Sequence, residues 1–145
     1  MRSFIVAALA LGAAPLWVGS MALAQEHTPA PAGAEVYIIS PKDGASVHNP
    51  ILVQFGLKGM GVAPAGVKFD NTGHHHLLID TDPPADQSKP LPATDKIVHF
   101  GKGQTETTLN LTPGRHTLRL VLADANHIPH SPPVISKKIT ITVQP

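Results

Sequence analysis

The most constraining feature of this sequence is that its apolar runs are short and are separated by stretches rich in proline and glycine. The 145 residues include 15 prolines and 12 glycines, which interrupt helices and central strands. Apolar and polar side chains alternate within several runs, as they do from Thr117 to Leu122, whereas the 3.6-residue period of a helix is not found. The sequence therefore predicts an all-β fold.

Seven runs have the composition and alternation of strands. They cover residues 35–40, 51–59, 74–81, 96–100, 106–112, 115–124 and 134–143. The connections between them leave no room for the crossover helices that parallel strands need. We therefore predict an immunoglobulin-like antiparallel β-sandwich of about seven strands. A closed barrel is the alternative.

The amino terminus has the pattern of an export signal. Arg2 precedes a run of apolar and small residues that ends in an A-x-A sequence at residues 22–24, after which signal peptidase cuts. We predict a signal peptide over residues 1–24, a flexible proline-rich leader over 25–34 and a single β-sandwich domain over 35–145. Cleavage near Ala24 predicts a periplasmic or secreted protein that has no membrane attachment.

Charge and cysteine content exclude several classes of function. The 11 basic and 10 acidic residues balance once Arg2 is removed with the signal, so nucleic acid is not an expected partner. Without cysteine, the chain has no disulfide, no thiolate metal site and no sulfur nucleophile. It also lacks the ligand that a blue-copper electron-transfer site requires.

Nine histidines are the other unusual number in this composition. In the predicted topology, the loops before the third strand, after the fourth strand and between the last two strands meet at one end of the sandwich. Six histidines fall at these positions: His74, His75, His76, His99, His127 and His130. The topology therefore predicts a cluster of imidazoles drawn from three separate segments.

The spacing of these histidines indicates a metal site. His74 and His76 share one face of a strand, and His75 points to the other face. The ligands that we predict are His74, His76, His99, His127, His130 and Met60. Neutral nitrogen ligands suit Cu(II), Zn(II) or Ni(II), and the Irving–Williams order favours a copper ion. The Met60 thioether would be a soft ligand for Cu(I), and Asp124 would cap its loop or orient a histidine.

The same residues also have a purely structural interpretation. His74 and His76 would then be surface residues at the start of a strand, and His127 and His130 would brace a loop through backbone hydrogen bonds. Met60 would pack in the core or against a loop. The predicted fold alone does not choose between ligands and structural residues.

A second metal site is predicted at the new amino terminus. Cleavage after Ala24 would begin the mature chain with Gln25, Glu26 and His27. A free amine, two deprotonated amides and an imidazole at the third position form a square-planar nitrogen set, which favours Cu(II) or Ni(II).

Three functions remain open from the residues themselves. The first is an exported metal-binding module for copper storage, delivery or tolerance. The second is a cell-envelope module that binds a protein or another ligand and uses its histidines structurally. The third is a copper-dependent oxidoreductase, although no nucleophile motif and no carboxylate pair is evident, so the sequence identifies no catalytic residue.

Several separated motifs resemble one family. They are "SPKDGASV" (40–47), "FGLKGMGVAPAG" (55–66), "GHHHLLID" (73–80), "HFGKGQTETTLNLTPGRHTLRL" (99–120) and "DANHIPHSPPVIS" (124–136). In this order they resemble the DUF4399 family of small secreted bacterial proteins, over about residues 36–143. The resemblance implies a bacterial, exported, single-domain protein and implies no activity.

Overall fold

The computed structural model describes residues 27–145. The predicted signal peptide, Gln25 and Glu26 lie outside the described residues. The described part of the chain forms ten strands: β1 (Glu35–Ser40), β2 (Ser46–Val47), β3 (Ile51–Lys58), β4 (Gly61–Val62), β5 (Thr72–Ile79), β6 (Ile97–His99), β7 (Glu106–Leu109), β8 (Gly114–Ala123), β9 (Pro129–Ile135) and β10 (Ile139–Val143). Over residues 27–145, no helix is long and apolar enough to cross a membrane.

The strands form two sheets. The smaller sheet has the order β1-β3-β7, and the larger has the order β2-β10-β8-β5-β4, with β6 paired to β5 and β9 paired to β8. The ladders are antiparallel except where the two-residue strands β2 and β4 pair in parallel with β10 and β5. The predicted all-β sandwich is confirmed.

The core lies between the two sheets and follows the period of two along each strand. Leu118, Leu120 and Leu122 of β8 are fully buried and pack with Val53 of β3 and Leu77 of β5 in one cluster. Burial of such a side chain contributes about 1.5–3 kcal/mol. The alternation that predicts these strands therefore also identifies their inner faces.

The outer face of the larger sheet is covered near β5. Leu78 of β5 and Val121 of β8 are fully buried there, although they point away from the other sheet. They pack with Leu91, which comes from the proline-rich connection between β5 and β6. This connection makes β5 a strand with two buried faces.

The last predicted strand is two strands. The run predicted over residues 134–143 is interrupted at residues 136–138, and β9 begins earlier, at Pro129. Buried Ser136 stabilises the break, because its hydroxyl accepts a hydrogen bond from the Leu120 N–H at 2.8 Å. The prolines in β9 are tolerated because β8 is its partner among the ten strands, and its other side is paired only at Ser131, by residues 28–30.

The segment predicted as a leader contacts the sandwich where it is described. Ala30 N–H donates to the Ser131 carbonyl at 3.1 Å, and Ser131 N–H donates to the Thr28 carbonyl at 3.0 Å. Residues 28–30 therefore run beside β9.

Candidate metal centre

The triple-histidine sequence lies on β5, whose residues from Gly73 to Ile79 are all buried. His74 and His76 point to the covered outer face, with ring centroids 4.8 Å apart. His75 points to the core, where its ring centroid lies 5.1 Å from that of Phe55. The alternation predicted from the sequence is therefore present, but all three histidines are buried and none is a surface residue.

His99 reaches the same face from the neighbouring strand. In the antiparallel pairing of β5 and β6, His99 is the direct partner of His76, and their ring centroids are 5.1 Å apart. The His99 ring also packs over the α-carbon of Gly101, where an added β-carbon would overlap it. The close pairing and this glycine together fix the position of the third imidazole.

His127 comes from the loop between β8 and β9 and has an unusual backbone. Its φ of 67° lies in the left-handed region, which is costly for a residue with a β-carbon. Two hydrogen bonds retain this conformation: His127 N–H donates to the Asp124 carbonyl at 3.0 Å, and Leu91 N–H donates to the His127 carbonyl at 2.8 Å. Strained backbone of this kind is enriched at functional sites, although Asn71 and Asp80 also have a positive φ here.

The four imidazoles from these segments form one cluster, which we call the four-histidine cluster: His74, His76, His99 and His127. One ligand nitrogen from each ring lies within 4.8 Å of the others. His74 Nε2 and His127 Nδ1 are 3.0 Å apart. Ring-centroid separations are 4.7–5.1 Å, except for the 6.1 Å between His76 and His127.

These distances can be compared with those of a metal site. With metal–nitrogen bonds of about 2.0–2.1 Å, two nitrogens on one ion are at most about 4.2 Å apart, and four rings in a tetrahedral site have centroids about 5 Å apart. The observed ring separations match this spacing. The ligand nitrogens, which are up to 4.8 Å apart, would need to approach by about half an ångström for trans positions in a planar site and by up to about 1.5 Å for a tetrahedral site, where nitrogens are about 3.4 Å apart. The cluster could therefore hold a metal ion.

Burial keeps the two cluster histidines of β5 in the neutral form that metal binding needs. Desolvation, with smaller effects from His99 and His127, lowers the pKa of His74 to about 4. Desolvation and repulsion by the other three rings lower the pKa of His76 to about 3. Burial, followed by the charge of His127, also lowers the pKa of His99. At neutral pH His74 and His76 are uncharged and have lone pairs available for a cation.

The cluster also contains nitrogen atoms that have no partner. The Nδ1 atoms of His74 and His76 are buried and make no hydrogen bond, which normally costs about 1–3 kcal/mol per group. An ion would offset this cost only where it is bound through Nδ1 itself, and the His74 nitrogen that faces His127 is Nε2. His99 is exposed and His127 is half-buried, so an ion can enter from the side of these two residues.

Two other predicted ligands do not belong to this cluster. His130 is buried on β9, where its Nε2 lies 3.1 Å from the Thr72 carbonyl oxygen and its Nδ1 lies 3.5 Å from that of Leu122. Both nitrogens thus face main-chain oxygens, as in the structural interpretation. Met60 is half-buried and packs against the main hydrophobic core.

Of the predicted amino-terminal site, only His27 is described. Its Nδ1 lies 3.5 Å from the Pro129 carbonyl oxygen, close to where residues 28–30 run beside β9. Gln25 and Glu26 lie outside the described residues, so this second site stays a prediction.

Two features that complete the cluster were missed in the sequence. The first is the hydrogen bond from Leu91, whose only sequence signal is an isolated leucine in a proline-rich connection. The second is Gly101, which is one of two glycines in the turn "GKG" after His99. A glycine next to a candidate ligand is a signal for close packing, and it could have been recognised.

Comparison with known families agrees with the resemblance. The sequence profile of DUF4399, described as a domain of unknown function, matches residues 53–144. The chain belongs to the DUF4399 family. The four clustered histidines all lie within the matched region, whereas His27 precedes it. Neither the curated proteins nor the solved structures contain a significant match to this chain.

Proposed function

We propose that this DUF4399 protein is an exported metal-binding module that holds a copper ion in the four-histidine cluster. One observation carries the proposal: four imidazoles from two paired strands and one loop place ligand nitrogens within 4.8 Å of one another. Histidines without a shared function have no evident physical reason to converge in this way beside the apolar cluster of Leu78, Leu91 and Val121.

The chemistry of the ligands supports copper. The cluster offers uncharged nitrogen and neither carboxylate nor thiolate, and such a set binds divalent ions of the late transition series, with Cu(II) favoured by intrinsic affinity. The nearly equal ring separations also suit Zn(II), which prefers tetrahedral sites. Zinc and nickel are therefore the competing ions in the test.

Export follows from the sequence pattern of residues 1–24, which predicts a periplasmic or secreted location. A metal module there would serve storage, delivery or tolerance of copper. Amino-terminal sequencing of the protein from a periplasmic extract tests the location, and a chain that begins at Gln25 is the expected result. The same chain would carry the predicted Gln25, Glu26 and His27 site.

The test of the metal site is calorimetric titration of the chain from residue 25 with Cu(II) and with Zn(II), in separate experiments. His27→Ala is present throughout, so that the predicted amino-terminal site does not contribute. We expect one equivalent of Cu(II) to bind tightly, and His76→Leu to weaken binding by at least about a hundredfold.

His75→Leu is the matched control. His75 is adjacent to His76, equally buried and changed to the same residue, but it points to the opposite face of β5. We expect this variant to bind copper as the parent protein does. Equal affinities for the parent and His76→Leu would refute the metal site, and tighter binding of zinc than of copper would refute the choice of metal.

A second candidate function is binding of a protein or ligand in the cell envelope. Phe69 is 75% exposed and Val67 is 47% exposed, and both line a cavity of about 750 Å³ beside Asp124. Exposed apolar side chains beside a cavity are typical of interaction sites. Partner binding that persists after removal of metal by a chelator, and that Phe69→Ser abolishes, would favour this function.

A further inference from the structure

We propose that Asp124 is the positioning residue of the four-histidine cluster: it fixes the loop that carries His127 and supplies the negative charge that partly neutralises the bound cation. This inference rests on the proposed metal site and deepens it. It follows from the hydrogen bonds of Asp124, from its burial and from its place in the strand register.

The Asp124 carboxylate accepts hydrogen bonds from the main chain of the loop that carries His127. Its Oδ1 accepts hydrogen bonds from the N–H groups of Asn126, at 2.8 Å, and Ile128, at 3.0 Å. These are the two residues on either side of His127. The main chain of Asp124 adds a hydrogen bond to each of His127 and Ile128. One residue therefore determines the course of the whole loop from 124 to 128.

The position of Asp124 also matters for charge. It directly follows Ala123, which is the cross-strand partner of His74, and it is only 6% exposed. Four neutral imidazoles leave the full charge of a divalent ion uncompensated in a largely buried site, which is costly. The charge of the buried Asp124 carboxylate acts on the His74 ring, and a negative charge there reduces this cost, as residues around metal ligands commonly do.

A third contact fixes the carboxylate itself. The Thr28 hydroxyl donates to Asp124 Oδ2 at 2.7 Å, so each carboxylate oxygen accepts a hydrogen bond. Because residues 28–30 also pair with β9, the amino-terminal segment secures Asp124 from outside the sandwich. The metal site is thus stabilised by a part of the chain that provides none of its four ligands.

Three substitutions separate charge from loop structure. Asp124→Asn removes the charge but retains both sets of hydrogen bonds. Its side-chain oxygen still accepts from the two loop N–H groups, and its amide N–H can donate to the Thr28 hydroxyl oxygen. Asp124→Ala removes the charge and the hydrogen bonds. Thr28→Val keeps its shape and the charge of Asp124 but removes the outer hydrogen bond. The measurements are Cu(II) affinity by calorimetry, in the His27→Ala background, and the Cu(II) electron paramagnetic resonance spectrum.

We expect Asp124→Asn to bind Cu(II) about tenfold more weakly with an unchanged four-nitrogen spectrum, because only the charge is lost. Asp124→Ala should bind about a hundredfold more weakly, with the spectrum of a site that has lost one imidazole. Thr28→Val should weaken binding a few-fold. Amide hydrogen exchange of residues 126–128 should be faster in Asp124→Ala than in Asp124→Asn.

The outcomes distinguish this inference from the metal site itself. If the parent protein binds copper and Asp124→Asn binds it within twofold of the parent, the charge has no role and the inference is wrong. If Asp124→Ala retains the parent spectrum, Asp124 does not position His127. If the parent protein is folded but binds no copper, the proposed function fails, and the role of Asp124 fails with it.

Discussion

Acidification should strongly destabilise the metal-free protein, because three buried histidines on β5 must remain neutral in the fold. Burial lowers the pKa values of His74 and His75 to about 4 and, with repulsion by neighbouring rings, that of His76 to about 3. In the unfolded chain each imidazole titrates near its ordinary value of about 6.5. Between these values the unfolded state binds more protons, so the free energy of unfolding decreases as the pH is lowered.

The size of the effect follows from the same values. At about pH 5.5, an unfolded histidine is about nine-tenths protonated, whereas each of the three buried rings is almost entirely neutral. Relative to about pH 7.5, each ring then lowers the free energy of unfolding by about 1.3 kcal/mol, and the three together lower it by about 4 kcal/mol. This is a large part of the 5–15 kcal/mol that is typical of folded domains.

A fourth histidine acts in the opposite direction. The hydrogen bond from His116 to Asp80, which is 2.6 Å long, raises the pKa of His116. A raised pKa stabilises the fold below about pH 6.5, the ordinary pKa of histidine. This contribution is lost as the pH rises through the pKa of His116 in the folded protein. Acidification to about pH 5.5 therefore gains this contribution, which offsets part of the loss from β5.

The assay is urea unfolding of chelator-treated protein, followed by far-ultraviolet circular dichroism at about pH 7.5 and about pH 5.5. His75→Leu removes one of the three rings without touching the cluster, so its loss of stability on acidification should be about 1.3 kcal/mol smaller. It should also be about 1–3 kcal/mol more stable at pH 7.5, because both His75 nitrogens are buried without partners. A parent protein that is equally stable at both pH values would refute the burial of neutral histidines.

Three further outcomes follow from individual contacts. Gly101→Ala should displace His99, whose ring packs over this glycine, and should weaken copper binding about tenfold in a calorimetric titration. His127→Asn should abolish tight copper binding but change the free energy of unfolding by less than about 1 kcal/mol, because asparagine tolerates a positive φ. Asp80→Asn should lower the free energy of unfolding by about 1 kcal/mol through its weaker bond to His116, and thermal unfolding should show this while copper affinity stays unchanged.

The alternation of side chains was sufficient to predict the strands and the face that His74 and His76 share. This information is local, because a period of two places every second residue on the same side whatever the partner strand is. The convergence of the three loops at one end was also predictable, since it requires only that neighbouring strands run antiparallel. The sequence therefore indicated which three segments supply the cluster, but it did not show that the cluster lies on the outer face of the larger sheet or that it contains only four of the six histidines.

The neighbours of each strand were not predictable in the same way. Whether β6 pairs with β5 or with the other sheet depends on packing over the whole domain, and a three-residue strand carries too little pattern to decide it. His130 shows the consequence for a single residue. It follows His127 by three positions, which suggested a shared loop, but β9 begins between them at Pro129. The strand then directs the His130 ring towards main-chain oxygens and away from the cluster.

The cluster is thus assembled from parts of different rigidity, which would affect how it takes up and releases an ion. Two histidines are fixed in the buried strand β5, and the third is paired directly across from one of them. The fourth depends on a strained loop that Asp124 and Leu91 hold in place. Because His99 is exposed and His127 is half-buried, these two histidines would be the first to release a bound ion. If the cluster holds an ion, as we propose, fixed inner histidines and exchangeable outer ones would suit it to taking up and passing on that ion, whereas a purely structural metal site is closed on all sides.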